Sequence, residues 1–273
     1  MDPRLTPSNG RVAHASLKGR VSAEHFIDGT CARIGRPLAD LRDGPGGRRA
    51  RQLLMGEGFT VLERRDGHVF GQAARDGHVG WLDEAALVAW AEPTHWVGAS
   101  ATHLYSAPDI KAPERGWLSL GARLRIVGED GAFARTDGGL FVPRVHLRPL
   151  GDWADDPVAV AESLIGTPYL WGGNSRAGLD CSGLVQAALL ACGRDCPPDS
   201  DLQQELGRPL AKGGGLTRGD LVFWAGHVGW MADSANLLHA NAHHMAVARE
   251  PLAEAAGRIA AQGGGPITHR RRL

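Results

Sequence analysis

The 273-residue chain is too long for one small core and suits two or three compact domains. Its 30 Lys+Arg balance 30 Asp+Glu, which argues against non-specific nucleic-acid binding. Hydrophobic residues make up 43% and charged residues 22%, an ordinary globular composition, and no apolar run approaches the roughly 18–20 residues that span a bilayer.

The first 28 residues carry no clear periodicity and read as an arm over the rest or a partly disordered segment. They lack the basic-then-apolar layout of a secretory leader, which makes the cytoplasm the default compartment. Four cysteines, Cys31, Cys181, Cys192 and Cys196, are too few for a disulfide framework in a chain of this length, and are expected to be reduced.

From 29 to 91 short apolar runs alternate with Gly and Asp pairs: 51–55, 59–63, 68–73 and 78–82. Strands of about five residues with frequent turn signals predict a small all-β barrel. Residues 92–150 repeat the plan with runs at 103–106, 123–127, 132–136 and 140–143, and the turn at Asp137-Gly138-Gly139 echoes Asp76-Gly77. Two tandem copies of one barrel account for the repeat economically.

The pattern shifts at 151. Asp155 or Asp156 caps a helix with Pro157 in its first turn, apolar Val158, Ala161, Leu164 and Ile165 at helical spacing, and Gly166 as its stop. A second helix is predicted over 181–192, with a stripe of Leu184, Val185, Ala188 and Leu189 ending at Gly193. Strand-like runs follow at 221–224, 227–231, 237–241 and 245–248, so residues 151–273 read as an α+β domain. The Gly-rich stretch from about 262 is expected to fray, with Arg270, Arg271 and Arg272 solvated.

Cys181 stands where Gly178-Leu179-Asp180 hands over to the second helix. The positive end of the helix dipole favours a thiolate there, and the unpaired N–H groups suit an oxyanion. A thiol nucleophile needs a base, and His227 supplies one on a strand. Twelve residues on stands His239, beyond the polar stretch Asp233-Ser234-Ala235-Asn236. A hairpin folded about residue 233 sets 227 and 239 directly opposite each other, where His239 orients the His227 ring. The third member is then a histidine, which stabilises an imidazolium less than a carboxylate does.

Four separated segments carry a family resemblance: Gly166-Thr167-Pro168-Tyr169-Leu170-Trp171-Gly172-Gly173, Asp180-Cys181-Ser182-Gly183-Leu184-Val185-Gln186, Gly219-Asp220-Leu221-Val222-Phe223 and His227-Val228-Gly229. In this order, over about 157–250, they resemble the NlpC/P60 motif set. The resemblance implies a papain-like α+β fold and a Cys181, His227, His239 triad. The barrels in front look like bacterial SH3 domains, an architecture similar to the subgroup that cleaves the γ-D-glutamyl–diamino acid bond of murein peptides with a free N-terminal L-Ala. That subgroup's substrates are small peptides such as L-Ala-γ-D-Glu-diaminopimelate, and no cofactor is implied.

Binding residues follow by motif: Tyr169 lines the cleft, Asp180 and Ser182 flank the nucleophile, and the pair Asp199 and Ser200 holds substrate. Glu57, within Gln52-Leu53-Leu54-Met55-Gly56-Glu57, matches the residue that pairs with the free amine. In Gly77-His78-Val79-Gly80-Trp81, His78 stands where the resemblance leads one to expect Tyr.

Blander readings compete. Asp199 and Ser200 suit the cap of a helix beginning near Leu202, Glu57 suits an ordinary surface carboxylate, and Tyr169 and Trp171 suit a core. Cys192 and Cys196 with His239, His243 and His244 offer zinc-type ligands without a recognisable spacing. At the level of function, an inactive wall-peptide-binding module and an acyltransferase or amidase using the same thioester are the alternatives to a peptidase.

Overall fold

The computed structural model describes residues 1–211 and 213–273. The chain divides into two compact units, Met1–Leu150 and Gly151–Leu273.

The first unit is all β. Seven antiparallel strands run in the order Arg49–Leu54, Leu38–Arg42, Val79–Asp83, His68–Ala73, Gly58–Arg65, Thr30–Ile34, Leu87–Ala89. Alternation turns Ile34, Leu41, Leu53, Phe59, Val61, Val69 and Leu82 into one core. Farther along, a five-stranded and a three-stranded sheet over His95–Pro149 enclose Val97, Leu104, Leu118, Leu124 and Val142, with Leu54 of the first barrel joining that cluster.

The N-terminal segment is ordered by what it touches. Val12–His14 pairs in parallel with His25–Ile27, Asn9 and Arg11 bond the Glu63 carboxylate at 2.7 Å each, and Val12 packs on Leu62, Phe70 and Trp81. These are tertiary contacts, which a local periodicity does not reveal.

The second unit sets helices against a six-stranded antiparallel sheet, ordered Arg208–Pro209, His269–Arg272, Asp220–Trp224, His227–Met231, Asn236–Asn241, Ala246–Pro251. Helix α1 spans Pro157–Glu162, with Asp156 accepting from the N–H groups of Val158 and Ala159. It ends before the expected stop at Gly166, because residues 163–166 continue as turns and the Gly166 N–H bonds the Val247 carbonyl instead of its own helix.

Helix α2, Cys181–Ala191, buries the expected stripe of Leu184, Val185, Ala188 and Leu189 and also Ser182, Gly183 and Gln186. A helix covered on nearly every side is a central element. The short α3, Ser200–Gln203, and α4, Leu252–Ala261, complete the unit.

The C-terminal residues do not fray. His269–Arg272 is an interior strand between Asp220–Trp224 and Arg208–Pro209, and Arg272 forms a two-pronged ion pair with Asp220, 2.7 Å on each prong. Asp220 is 1% exposed. A buried carboxylate requires a cation, and the terminal arginine supplies it, so the expectation of a solvated Arg270–Arg272 tail is corrected.

Candidate active site

The site is assembled around the head of α2. Asp180 is its N-cap: Oδ1 accepts from the Gly183 N–H at 2.7 Å and the Ser182 hydroxyl at 3.1 Å, and Oδ2 accepts from the Gly172 N–H at 2.9 Å. One carboxylate thus satisfies orphan donors of the helix and ties the Gly172-Gly173 turn to it. Gly183 is needed for that closeness, since a Cβ there would lie 2.5 Å from the Gly173 carbonyl oxygen.

Cys181 opens the helix and is buried, with Sγ 4.0 Å from the Gly226 carbonyl oxygen. The Val228 N–H also reaches the sulfur, so the thiol lies against the strand start on either side of His227. Burial, followed by the Asp180 carboxylate, pushes the thiol up to about 12; the N–H groups of Val228, Ser182 and Cys181 itself act in the opposite direction. The helix-head effect, which favours a thiolate, is thus opposed by burial and by the Asp180 carboxylate.

His227 and His239 meet, Nε2 to Nδ1, at 2.7 Å with their rings 65° apart. The register that brings them together differs from the expected one. Trp230 pairs with Leu238 and Met231 with Leu237, and the turn closes from the Ala232 N–H to the Asn236 carbonyl, so the hairpin folds about 234 and not 233. Asp233 Oδ1, accepting from the N–H groups of Ala235 and Asn236, sets that turn.

His239 accordingly faces Gly229, and His227 lies one diagonal step away on the same face, within reach of a long side chain. A Cβ at Gly229 would sit 2.8 Å from Leu237 Cδ1 and 3.0 Å from His239 Cβ. The glycine of His227-Val228-Gly229 is thus the space His239 occupies.

Beyond His239 stands Glu250, which the sequence reading missed. Its Oε1 lies 2.7 Å from His239 Nε2, and both its oxygens bond Arg258 of α4, at 2.5 and 2.7 Å. The strand register supplies the reason: His239 pairs with Ala248, and alternation along Ala246–Pro251 puts Ala248 and Glu250 on His239's face.

Burial lowers His227 to about 3, with His239 adding to the effect. Burial likewise lowers His239 to about 4 against the pull of Glu250. For Glu250, burial works upward, but bonds from Arg258 and then His239 hold it at about 2. Both rings are neutral at pH 7 and Glu250 is ionised.

Tyr169 is half-buried, its hydroxyl raised to about 12 by burial and then by the charges of Cys181 and Asp180. Its backbone N–H bonds the Met245 carbonyl, while Trp171 is 71% exposed and so belongs to no core. Ser182 is buried, and its carbonyl accepts from Gln203 Nε2 at 3.0 Å.

Ser200 is the first residue of α3, which starts earlier than the expected Leu202, and Asp199 holds the cap position without a side-chain cap bond. Gln203, bonding the Pro197 and Ser182 carbonyls, and Gln186, bonding the Cys196 carbonyl at 3.0 Å, fasten this segment to the nucleophile's helix.

Glu57 lies in the first unit and is no surface carboxylate: it is buried, accepts from the Leu54 N–H at 3.0 Å and pairs with Arg75 at 2.8 Å. His78 is also buried, with Nδ1 3.1 Å from the Val79 carbonyl. Among the described residues no group of His, Cys, Asp or Glu is arranged to hold a metal ion. His239 is committed to His227 and Glu250, and His244 lies against Asn241.

Residues 166–256 match the NlpC/P60 family, and residues 41–87 match the bacterial dipeptidyl-peptidase SH3 domain. A γ-D-glutamyl-L-lysine dipeptidyl-peptidase of Bacillus cereus is 27% identical over 235 residues, 74% of this chain and 70% of that protein. One from Bacillus subtilis is 27% identical over 184 residues, 60% of each chain. An NlpC/P60 family protein of Bacillus cereus shares the fold, with a TM-score of 0.75 at 21% identity over 89% of this chain and 99% of that one.

Proposed function

From the membership of this peptidase's C-terminal unit in the NlpC/P60 family, we propose that the chain hydrolyses the γ-D-glutamyl–diamino acid bond of small murein peptides bearing a free N-terminal L-Ala. The observation that carries the proposal is the junction of α2 with the His227 strand, where a buried thiol lies against the backbone flanking His227, whose Nε2 is held by a third polar group. Relatives named γ-D-glutamyl-L-lysine dipeptidyl-peptidase support the choice of bond.

In this reading the resting thiol and imidazole are both neutral, and the proton leaves sulfur for His227 as Sγ attacks the γ-carbonyl carbon. Backbone N–H groups at the head of α2 receive the oxyanion. The amine of the diamino acid leaves with that proton, and water then hydrolyses the thioester. Asp180 and Ser182 serve by setting the position of Cys181. Tyr169 walls the cleft, and Asp199 and Ser200 provide a carboxylate for an amine and a donor for the D-glutamate α-carboxylate. The carboxylate of Glu57, by contrast, is committed to Arg75 and the Leu54 N–H, so its expected role toward the free amine of L-Ala is withdrawn. The enzyme would work in the cytoplasm on murein peptides; its cysteines, none of them bridged, suit a reducing compartment.

The test is incubation of the protein and its Cys181→Ala variant with L-Ala-γ-D-Glu-meso-diaminopimelate and with its L-Lys counterpart, each free and N-acetylated, followed by mass spectrometry. Release of L-Ala-D-Glu from the free-amine peptides is expected, falling on the order of 10⁴-fold or more in the variant. Equal cleavage of the acetylated peptides removes the free amine from the proposal, and no cleavage by the wild type removes the substrate class.

A further inference from the structure

The polar chain that begins at His227 continues past the third residue of the triad into a carboxylate and a guanidinium. It crosses three neighbouring strands by one diagonal step each, from His227 to His239 to Glu250, and α4 closes it with Arg258. We infer that Glu250, held by Arg258, is a positioning residue that fixes the tautomers of both histidines and thereby makes Nδ1 of His227 the atom that takes the thiol proton.

The argument is one of donors and acceptors. An ionised carboxylate accepts and never donates, so the 2.7 Å contact with Glu250 requires a hydrogen on Nε2 of His239. A neutral ring carries one N–H, which leaves Nδ1 of His239 as an acceptor. The 2.7 Å contact between the rings then requires the hydrogen on Nε2 of His227, and its Nδ1 is left with a lone pair. That nitrogen is the base.

The two-pronged Arg258 contact is the geometry that keeps a carboxylate ionised, and burial keeps the rings neutral, so each link of the deduction has a physical cause. The charged and titratable groups facing Glu250 are His239 from its neighbouring strand, Arg258 from α4, and His244 from the adjoining turn at 3.9 Å.

During attack the S–H bond breaks, the Sγ–C bond forms and the proton joins Nδ1 of His227. On collapse of the tetrahedral intermediate the proton passes to the departing amine nitrogen as the C–N bond breaks. Nothing needs to reach Glu250. Its carboxylate offsets the imidazolium through the intervening neutral ring, as the buried aspartate of a serine triad does directly. The weakness expected of a histidine as third member is repaired one residue farther on.

The inference rests on the peptidase reading for its kinetic arm only. Using the full chain near pH 7, ¹⁵N spectra of the imidazoles report the tautomers, and alkylation of Cys181 by iodoacetamide, followed on its own peptide by mass spectrometry, reports the thiol without any substrate. The wild type is expected to show His239 protonated at Nε2 and His227 with a bare Nδ1. In Glu250→Gln, alkylation of Cys181 should slow and its pH profile shift, and kcat should fall on the order of 10²-fold with KM nearly unchanged. Glu250→Asp should recover part of the loss.

A wild-type spectrum with the His239 hydrogen on Nδ1 overturns the inference, as does a folded Glu250→Gln that alkylates and turns over like the wild type. Should Glu250→Gln fail to fold, the wild-type spectrum alone decides. If murein peptides are not cleaved at all but the tautomers and alkylation behave as stated, the substrate assignment falls and the positioning role stands.

Discussion

Each unit of this protein buries a charged network, and the two are built to different ends. In the first barrel Arg75 lies 2.8 Å from Glu57 and 3.4 Å from Asp76, and Arg51 stands 3.6 Å from Asp76, all at side-chain exposures of 0–6%. Two fixed cations meet two fixed anions, and the Gln52 carbonyl and the N–H groups of Leu54 and His78 add hydrogen bonds to them. In the second unit one fixed pair, Glu250 with Arg258, anchors two neutral rings, and the chain ends on His227. Burial tolerates compensated charge, and the barrel's network balances its own, while the second retains rings able to take up a charge near the thiol.

The largest expected effect tests the barrel's network. Arg75→Met removes a cation and leaves Glu57 and Asp76 buried against Arg51 alone, which should destabilise the protein by about 3–5 kcal/mol in denaturant melts. A loss within about 0.5 kcal/mol would mean that the barrel's charges are not mutually dependent and that the contrast drawn here is false.

Next in size is Gly229→Ala, which leaves every charge in place but pushes a methyl group toward His239 Cβ. Displacing the orienting ring should cost on the order of 10–10² in kcat while alkylation by a small reagent changes less. An unaltered kcat would show that the second network tolerates loose geometry.

The smallest effect concerns pH. Burial holds His227 and His239 below their ordinary value of 6.5, so the unfolded chain binds protons at these rings more readily than the folded one. Their contribution is therefore full above about 6.5 and drains as pH falls toward about 4, giving a Tm lower by about 2–4 °C between pH 7.5 and 6. His239→Gln should flatten that slope. A slope unchanged by the substitution would place the acid sensitivity elsewhere.

The candidate site residues were largely legible in the sequence. Cys181 at a helix head, His227 on a strand and His239 across a turn come from motif and spacing, and the structure joins His227 to His239 at 2.7 Å. Yet the register behind that contact was displaced by one position of the turn centre, because Asp233's capping of the Ala235 and Asn236 N–H groups selects which residues form the bend. Short polar turns of similar composition close in several ways.

Glu250 went unread since a lone Glu in Ala246–Pro251 has meaning only once a neighbouring strand puts a histidine over it. The same holds for Arg272, whose buried partner Asp220 lies 52 positions away.

By itself, then, the sequence determined the succession of elements, the balance of charge and the three residues that the proposed function casts as nucleophile, base and orienting ring. These depend on local periodicity, on capping and on which side chains are able to do the chemistry. Tertiary structure alone decided the burial of Cys181 and its histidines, the carboxylate behind them, the pairing of Glu57 with Arg75 and the order of the C-terminal strand. Each of these is set by desolvation and by partners distant in the chain, and the free energy of a buried charge belongs to its surroundings and not to the residue that carries it.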